Sequence, residues 1–131
     1  MRTQTCSVDL KANLGRDYPV YKITGCVNNG KVELFIDDDK NEQVGTIKGD
    51  LGPTGNFAVT VYLHNSKYKR ISVGATVEKE YITDGGVSID DKIMSCFFEG
   101  IIGEEVWAEL TLMSAEGLHK ILVEGKMEYK N

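Results

Sequence analysis

The stretch VYKITGCVNNGKVELFI, from Val20 to Ile36, is a pair of alternating apolar runs on either side of Asn29-Gly30. Asn-Gly best supplies the two positive φ angles of a type I′ turn, so the stretch predicts a β-hairpin with a two-residue loop. With Asn28 paired to Lys31, Val27 faces Val32, Gly25 faces Leu34 and Ile23 faces Ile36, all on one side of the ribbon. The other side pairs Cys26 with Glu33, Thr24 with Phe35 and Lys22 with Asp37, a polar set apart from Phe35. A slip of one residue would turn the whole apolar set to solvent.

The same parity holds further along. Phe57, Val59, Val61 and Leu63 share one face of a strand, and Ile71, Val73, Ala75 and Val77 share one face of the next. Both sets are odd-numbered, so an antiparallel pair in phase needs a connection of odd length: three residues, Asn65-Ser66-Lys67, or five, from His64 to Tyr68. Near the end Val106, Ala108, Leu110 and Leu112 are even, whereas Ile121, Val123, Gly125, Met127 and Tyr129 are odd. A loop of even length around Ala115-Glu116-Gly117 is required there, and a four-residue loop fits.

Strands are expected near 3–10, 20–27, 31–37, 43–48, 56–64, 68–82, 92–98, 104–113 and 119–129. Leu51-Gly52-Pro53-Thr54-Gly55 is the strongest break, and Asp84-Gly85-Gly86 reads as another turn, after which Val87-Ser88-Ile89 adds a short strand before Asp90-Asp91. No apolar run has helical period and length; Lys11 to Asp17 holds one turn at most. Residues 1–131 therefore read as a single antiparallel all-β domain of about eight to ten strands, a sandwich or a closed up-and-down barrel. The inward set is nearly all Val, Ile, Leu and Phe, with Gly25 and Gly125 as gaps where a facing aromatic could sit. That reads as a filled core, and so as the sandwich, with the barrel as the alternative. The length resembles that of small intracellular lipid-binding barrels, but the helical lid between the first two strands of that family has no counterpart here, and no family is assigned.

Composition narrows the function classes. A chain of 131 residues, 41% hydrophobic, buries roughly two thirds of its unfolded surface without disulfide or metal. With a formal charge of −5 and dispersed cations, no basic patch is available for nucleic acid. The segment from Met1 lacks the apolar core of a leader, and no stretch approaches the roughly 18 apolar residues that span a bilayer; the expected address is cytoplasmic, with no membrane partner. Cys6, Cys26 and Cys96 are an odd count at wide spacing, without paired CxxC geometry. Cys6 falls with the core and Cys26 on the polar face.

Chemistry-bearing motifs are few. Asp37-Asp38-Asp39-Lys40-Asn41-Glu42 places oxygen ligands at alternate positions in the manner of a calcium loop, but Glu42 stands where the sharp turn needs Gly and Lys48 where a bidentate Glu is needed. A solvated turn is expected, and Asp90-Asp91 is weaker still as a cation site. His119 and Lys79 have inward parity and could serve as acid or base at a barrel mouth, while His64 lies beside a turn. No nucleophile elbow, HExxH or GxGxxG motif is present, so no catalytic residue, metal ligand or cofactor is assigned.

The outward set is what the core leaves unexplained. Trp107, Met113, Leu122, Phe35 and Tyr62 fall among polar neighbours, and Trp107, Leu122 and Met113 could make a diagonal strip on the terminal hairpin. Met94-Ser95-Cys96-Phe97-Phe98 is apolar on both faces, as if covered outside by a loop or another subunit. The expected function is a non-enzymatic binding module that meets a protein partner or its own copy through an outer sheet face. A carbohydrate- or small-ligand-binding domain is the alternative, with a barrel isomerase or cyclase using His119 third. Replacing Gly30 by Val, which forces a β-branched residue to positive φ, is expected to cost about 1–3 kcal/mol in a thermal or denaturant melt. An unchanged midpoint would remove the type I′ turn on which the register rests.

Overall fold

A computed structural model describes residues 5–68 and 70–129. It contains ten strands: β1 (Cys6–Asn13), β2 (Tyr21–Asn28), β3 (Lys31–Asp37), β4 (Gln43–Leu51), β5 (Phe57–Leu63), β6 (Ile71–Glu78), β7 (Tyr81–Ile89), β8 (Lys92–Ile102), β9 (Glu105–Ser114) and β10 (Gly117–Tyr129). Each pairs antiparallel with the next, and β10 returns to β1, so the sheet closes into an up-and-down barrel. The seam runs from Cys6 opposite Tyr129 to Asn13 opposite Leu122. Of the two all-β architectures open to the sequence, closure into a barrel is the one adopted. No helix is present among the described residues, and none is long and apolar enough to cross a membrane. Residues 3 and 4 of the first expected strand lie outside the described residues.

The hairpin register is the one read from Asn29-Gly30. Asn28 pairs with Lys31, Val27 with Val32, Gly25 with Leu34 and Ile23 with Ile36, and both turn residues have positive φ, 49° and 83°. Phe57 meets Ala75 and Val59 meets Val73 in phase, with the connection extended to residues 64–70, still odd in length. The β9–β10 connection is even but shorter than four residues: Ser114 pairs with Gly117, leaving Ala115-Glu116 as the turn.

Two local expectations are corrected. The expected strand 68–82 is two strands, because Lys79 and Glu80 turn the chain with φ of 51° and 73°. Neither residue type advertises positive φ, so the turn was not visible in composition. Asp84-Gly85-Gly86, read as a turn, lies inside β7. Gly85 sits beneath the Phe98 ring, whose Cδ2 would lie 2.9 Å from an added Cβ. The glycine-over-aromatic arrangement therefore occurs at Gly85 and not at Gly25 or Gly125. At Gly25 and Gly125 the neighbouring backbone itself fills the space: an added Cβ would meet Glu33 O at 2.4 Å and Asp9 O at 2.2 Å. Glycine at these inward positions, at φ of 151° and 155°, lets the strands coil sharply enough to close the ring.

The two ends of the barrel differ. At the end holding the β2–β3, β4–β5, β6–β7 and β8–β9 connections, Cys6, Val27, Val32, Leu51, Val106 and Met127 pack into a buried plug, and Val77 is buried at the same end. Cys6 and Val77 are each only 1% exposed. Hydrogen bonds link successive connections at this end. Leu51 N–H donates to Gly30 O (2.8 Å), Ile102 N–H to Glu80 O (2.7 Å) and Met127 N–H to Glu104 O (2.8 Å), while Val77 N–H donates to Asn56 Oδ1 (2.6 Å). The Lys79-Glu80 turn adopts type I′-like geometry without the residues that favour it. Replacing the pair by Asn-Gly is expected to raise stability by about 1 kcal/mol in a denaturant melt; a lower midpoint would mean that the Glu80 side chain against Gly103 outweighs the relief of backbone strain.

Candidate functional site

Inside the barrel lies a cavity of about 620 Å³, within the roughly 300–1,000 Å³ of small-molecule sites. The filled interior expected from the inward residue types is not what forms. The reason is geometric: about eight strands make an interior that side chains just fill, and diameter grows with strand number. Ten strands bearing mostly Val, Ile, Leu, Ala and Gly inward enclose more space than those side chains occupy.

Every strand contributes to the lining. Leu10, Ile23, Leu34 and Ile47 form one side, and Val61, Val73, Phe98 and Leu110 stand among those on the other. Phe57 and Phe98 meet edge to face near the floor, with ring centroids 6.2 Å apart. Except for Tyr21, His64 and Ser66, every lining side chain is hydrocarbon or thioether, and no Asp, Glu, Lys or Arg is among them.

Exposure of the inward residues rises along the barrel axis on β5, β6 and β9, whereas Ala12 of β1 and Ile36 of β3 stay buried at the same end. In β6, Val77 and Ala75 are buried while Val73 and Ile71 are half-buried. In β9, Val106 and Ala108 are buried while Leu110 and Leu112 are half-buried. Leu63, the last inward residue of β5, is 37% exposed. The barrel is thus plugged at one end and open at the other, the end bearing the β1–β2, β3–β4, β5–β6, β7–β8 and β9–β10 connections. Tyr21 begins β2 at this end, and His64 and Ser66 belong to the β5–β6 connection. All the polar lining groups therefore stand at the mouth.

The β5–β6 connection is held by backbone bonds. His64 N–H donates to Val44 O (2.8 Å), and Tyr68 N–H donates to Ser66 Oγ (3.0 Å). Arg70 N–H donates to Asp90 Oδ1 (2.9 Å), and the Arg70 guanidinium pairs with Asp91. Beside it, Asp38 Oδ1 accepts from Lys40 N–H (2.8 Å) and Glu42 N–H (2.9 Å). The Asp37–Glu42 loop thus uses a carboxylate to cap its own turn. Among the described residues no group of three or more His, Cys, Asp or Glu side chains converges as a metal site.

The histidine and lysine singled out in the sequence do not line the cavity. His119 packs edge to face against Tyr18, centroids 5.8 Å apart, and Lys79 occupies the turn at the plugged end. No acid–base constellation of these two forms around the void. What the sequence reading missed is the placement of His64 and Ser66 at its rim, since parity assigns no facing to residues in an irregular loop.

The outward residues divide between two walls. Phe35 and Tyr62 flank Thr46 on β3, β4 and β5, whereas Trp107, Met113 and Leu122 belong to β9 and β10. In the ring, β4 and β9 stand five strands apart in either direction, so the two groups face opposite ways. Leu122 pairs with Glu109, diagonal to Trp107; Met113 pairs with Leu118 and is separated from them by Thr111 and Lys120. Trp107 has a different apolar neighbour, Ile101 of β8, which in turn pairs with Tyr81 of β7. Ile93 and Phe97 of β8 are 90% and 59% exposed, so among the described residues no segment covers the outer face of that strand. Cys6 is buried, Cys96 half-buried and Cys26 exposed.

Comparison with protein-family models, with curated proteins and with solved structures gives no match. The functional reading rests on the geometry.

Proposed function

We propose that the protein binds a small apolar molecule inside its barrel. The cavity of about 620 Å³, open at one end and lined by hydrocarbon, carries this reading. Transfer of apolar surface from water to such a lining contributes about 25 cal/mol per Å² buried, and a preformed barrel adds little ordering cost. The work assigned to the site is sequestration or transport, since the lining offers adhesion and little chemistry.

A solvatochromic apolar dye is expected to bind the wild type at one molecule per chain. Replacing Val61 and Val73 by Phe narrows the cavity with apolar bulk. Roughly tenfold or weaker dye affinity is expected from the double variant, with the fold retained by circular dichroism. Unchanged dye binding by the folded variant would place the dye on the outer surface and remove the interior reading.

A second reading has its own observation, the uncovered apolar wall of β7, β8 and β9. Tyr81, Ile101 and Trp107 lie on one rung, with Phe97 and Ile93 farther along β8. The β7–β8 ladder is also irregular here, with a register shift between Tyr81 and Val87. This wall is proposed to contact a protein partner or a second copy, since exposed aromatic clusters favour interface centres. Light scattering across a concentration series tests the self-association form. An oligomer weakened by Trp107→Ala, by about 2 kcal/mol as for a buried aromatic anchor, with an unchanged monomer melt, supports it. A wild type that stays monomeric at high concentration removes it.

A further inference from the structure

The cavity narrows the chemical class of its ligand. We infer, resting on the interior-binding reading, that the barrel takes an uncharged amphiphile tail first: a hydrocarbon body with a single hydroxyl or carbonyl oxygen left at the mouth beside His64 and Ser66. Three observations carry this.

The first is the lining. No Asp, Glu, Lys or Arg lines the cavity, so an ionised group drawn deep into the barrel would lose its hydration with nothing to replace it, which costs several kcal/mol or more. The buried part of the ligand is therefore apolar throughout. β5 spans Phe57 to Leu63 beside the cavity, and a strand rise of about 3.4 Å at a tilt of about 40° gives roughly 15 Å along the axis. An extended chain of dodecyl length fits that depth.

The second is the placement of the polar groups. The polar side chains of the lining occur only at the open end, so a ligand with one polar terminus has one favourable orientation. Ser66 Oγ already accepts the Tyr68 N–H, which leaves its hydroxyl proton to donate. The His64 imidazole adds a ring nitrogen at the same loop. Both fit an oxygen that accepts a hydrogen bond.

The third is the charge around the mouth. The connections at this end carry seven carboxylates, Asp17, Asp38, Asp39, Glu42, Asp90, Asp91 and Glu116, against five cations, Arg16, Lys40, Lys67, Lys69 and Arg70. Arg70 is already paired with Asp91, and the Lys67 ammonium lies over the Tyr68 ring, 5.0 Å from its centroid. The rim is therefore net acidic and two of its cations are engaged, which favours an uncharged head over a carboxylate.

Competition against the bound apolar dye, below the micellar range, tests the class with dodecane, dodecan-1-ol and dodecanoate. Dodecan-1-ol is expected to displace the dye best. The double variant His64→Leu with Ser66→Ala, both in a surface connection and checked for folding by melt, is expected to weaken dodecan-1-ol roughly three- to tenfold while leaving dodecane unchanged. Dodecanoate binding more tightly than the alcohol would overturn the inference and leave interior binding standing. Equal weakening of alcohol and alkane in the variant would also overturn it, because the loop would then matter only to the shape of the mouth. Failure of the dye and of all three competitors to bind would remove the interior reading itself, and this inference with it.

Discussion

Closure of β10 onto β1 is the constraint on which the rest of the molecule depends. An open ten-stranded meander would expose two edges of unpaired backbone groups, each a template for aggregation; pairing the first strand with the last removes both. Closure sets the circumference, and the circumference sets the interior volume. The side chains that alternate inward are small or medium aliphatics, so the void follows from strand number as much as from residue identity. Glycine at positions 25 and 125, with the neighbouring backbone where a side chain would sit, marks where the sheet bends to complete the ring.

The same closed wall has unlike ends. One is laced by bonds between successive connections and plugged by Cys6 and its neighbours. The other has inward residues on β5, β6 and β9 that remain part-exposed and a rim that mixes Tyr21, His64 and Ser66 with charged turns. This polarity turns a container into a binding site with a direction. A ligand entering tail first keeps its polar end where water and hydrogen-bonding groups remain, and the apolar floor fixes how far it can go. The outer wall of β7 to β9 is a separate feature, because its exposed side chains point away from the cavity and share no residue with the lining.

Much of the wall was legible in the chain because β-structure alternates with period two and tolerates no slip. The Asn29-Gly30 turn, the face shared by Val27, Val32, Ile23 and Ile36, and the in-phase meeting of Val59 with Val73 follow from that arithmetic. Cys6 in the core and Cys26 on the surface follow from it too. It failed where local chemistry and tertiary demand diverged. Lys79-Glu80 turns the chain although neither residue favours positive φ, because β6 and β7 must both return to a ring of fixed height. Asp84-Gly85-Gly86 continues as strand although its residues favour turns, because Gly85 accommodates the Phe98 ring.

The sequence by itself determined an all-β chain, the faces of the strands whose alternation is clean and the register of the β2–β3, β5–β6 and β9–β10 hairpins, since these depend on near neighbours and on a two-residue repeat. Only the tertiary structure decided whether the sheet stacked on itself or closed, which end stayed open, and that His64 and Ser66 meet the cavity while His119 and Lys79 do not. Those outcomes depend on the number of strands around a ring and on the path of irregular connections. Neither quantity is local, so neither is written in the periodicity of any single stretch.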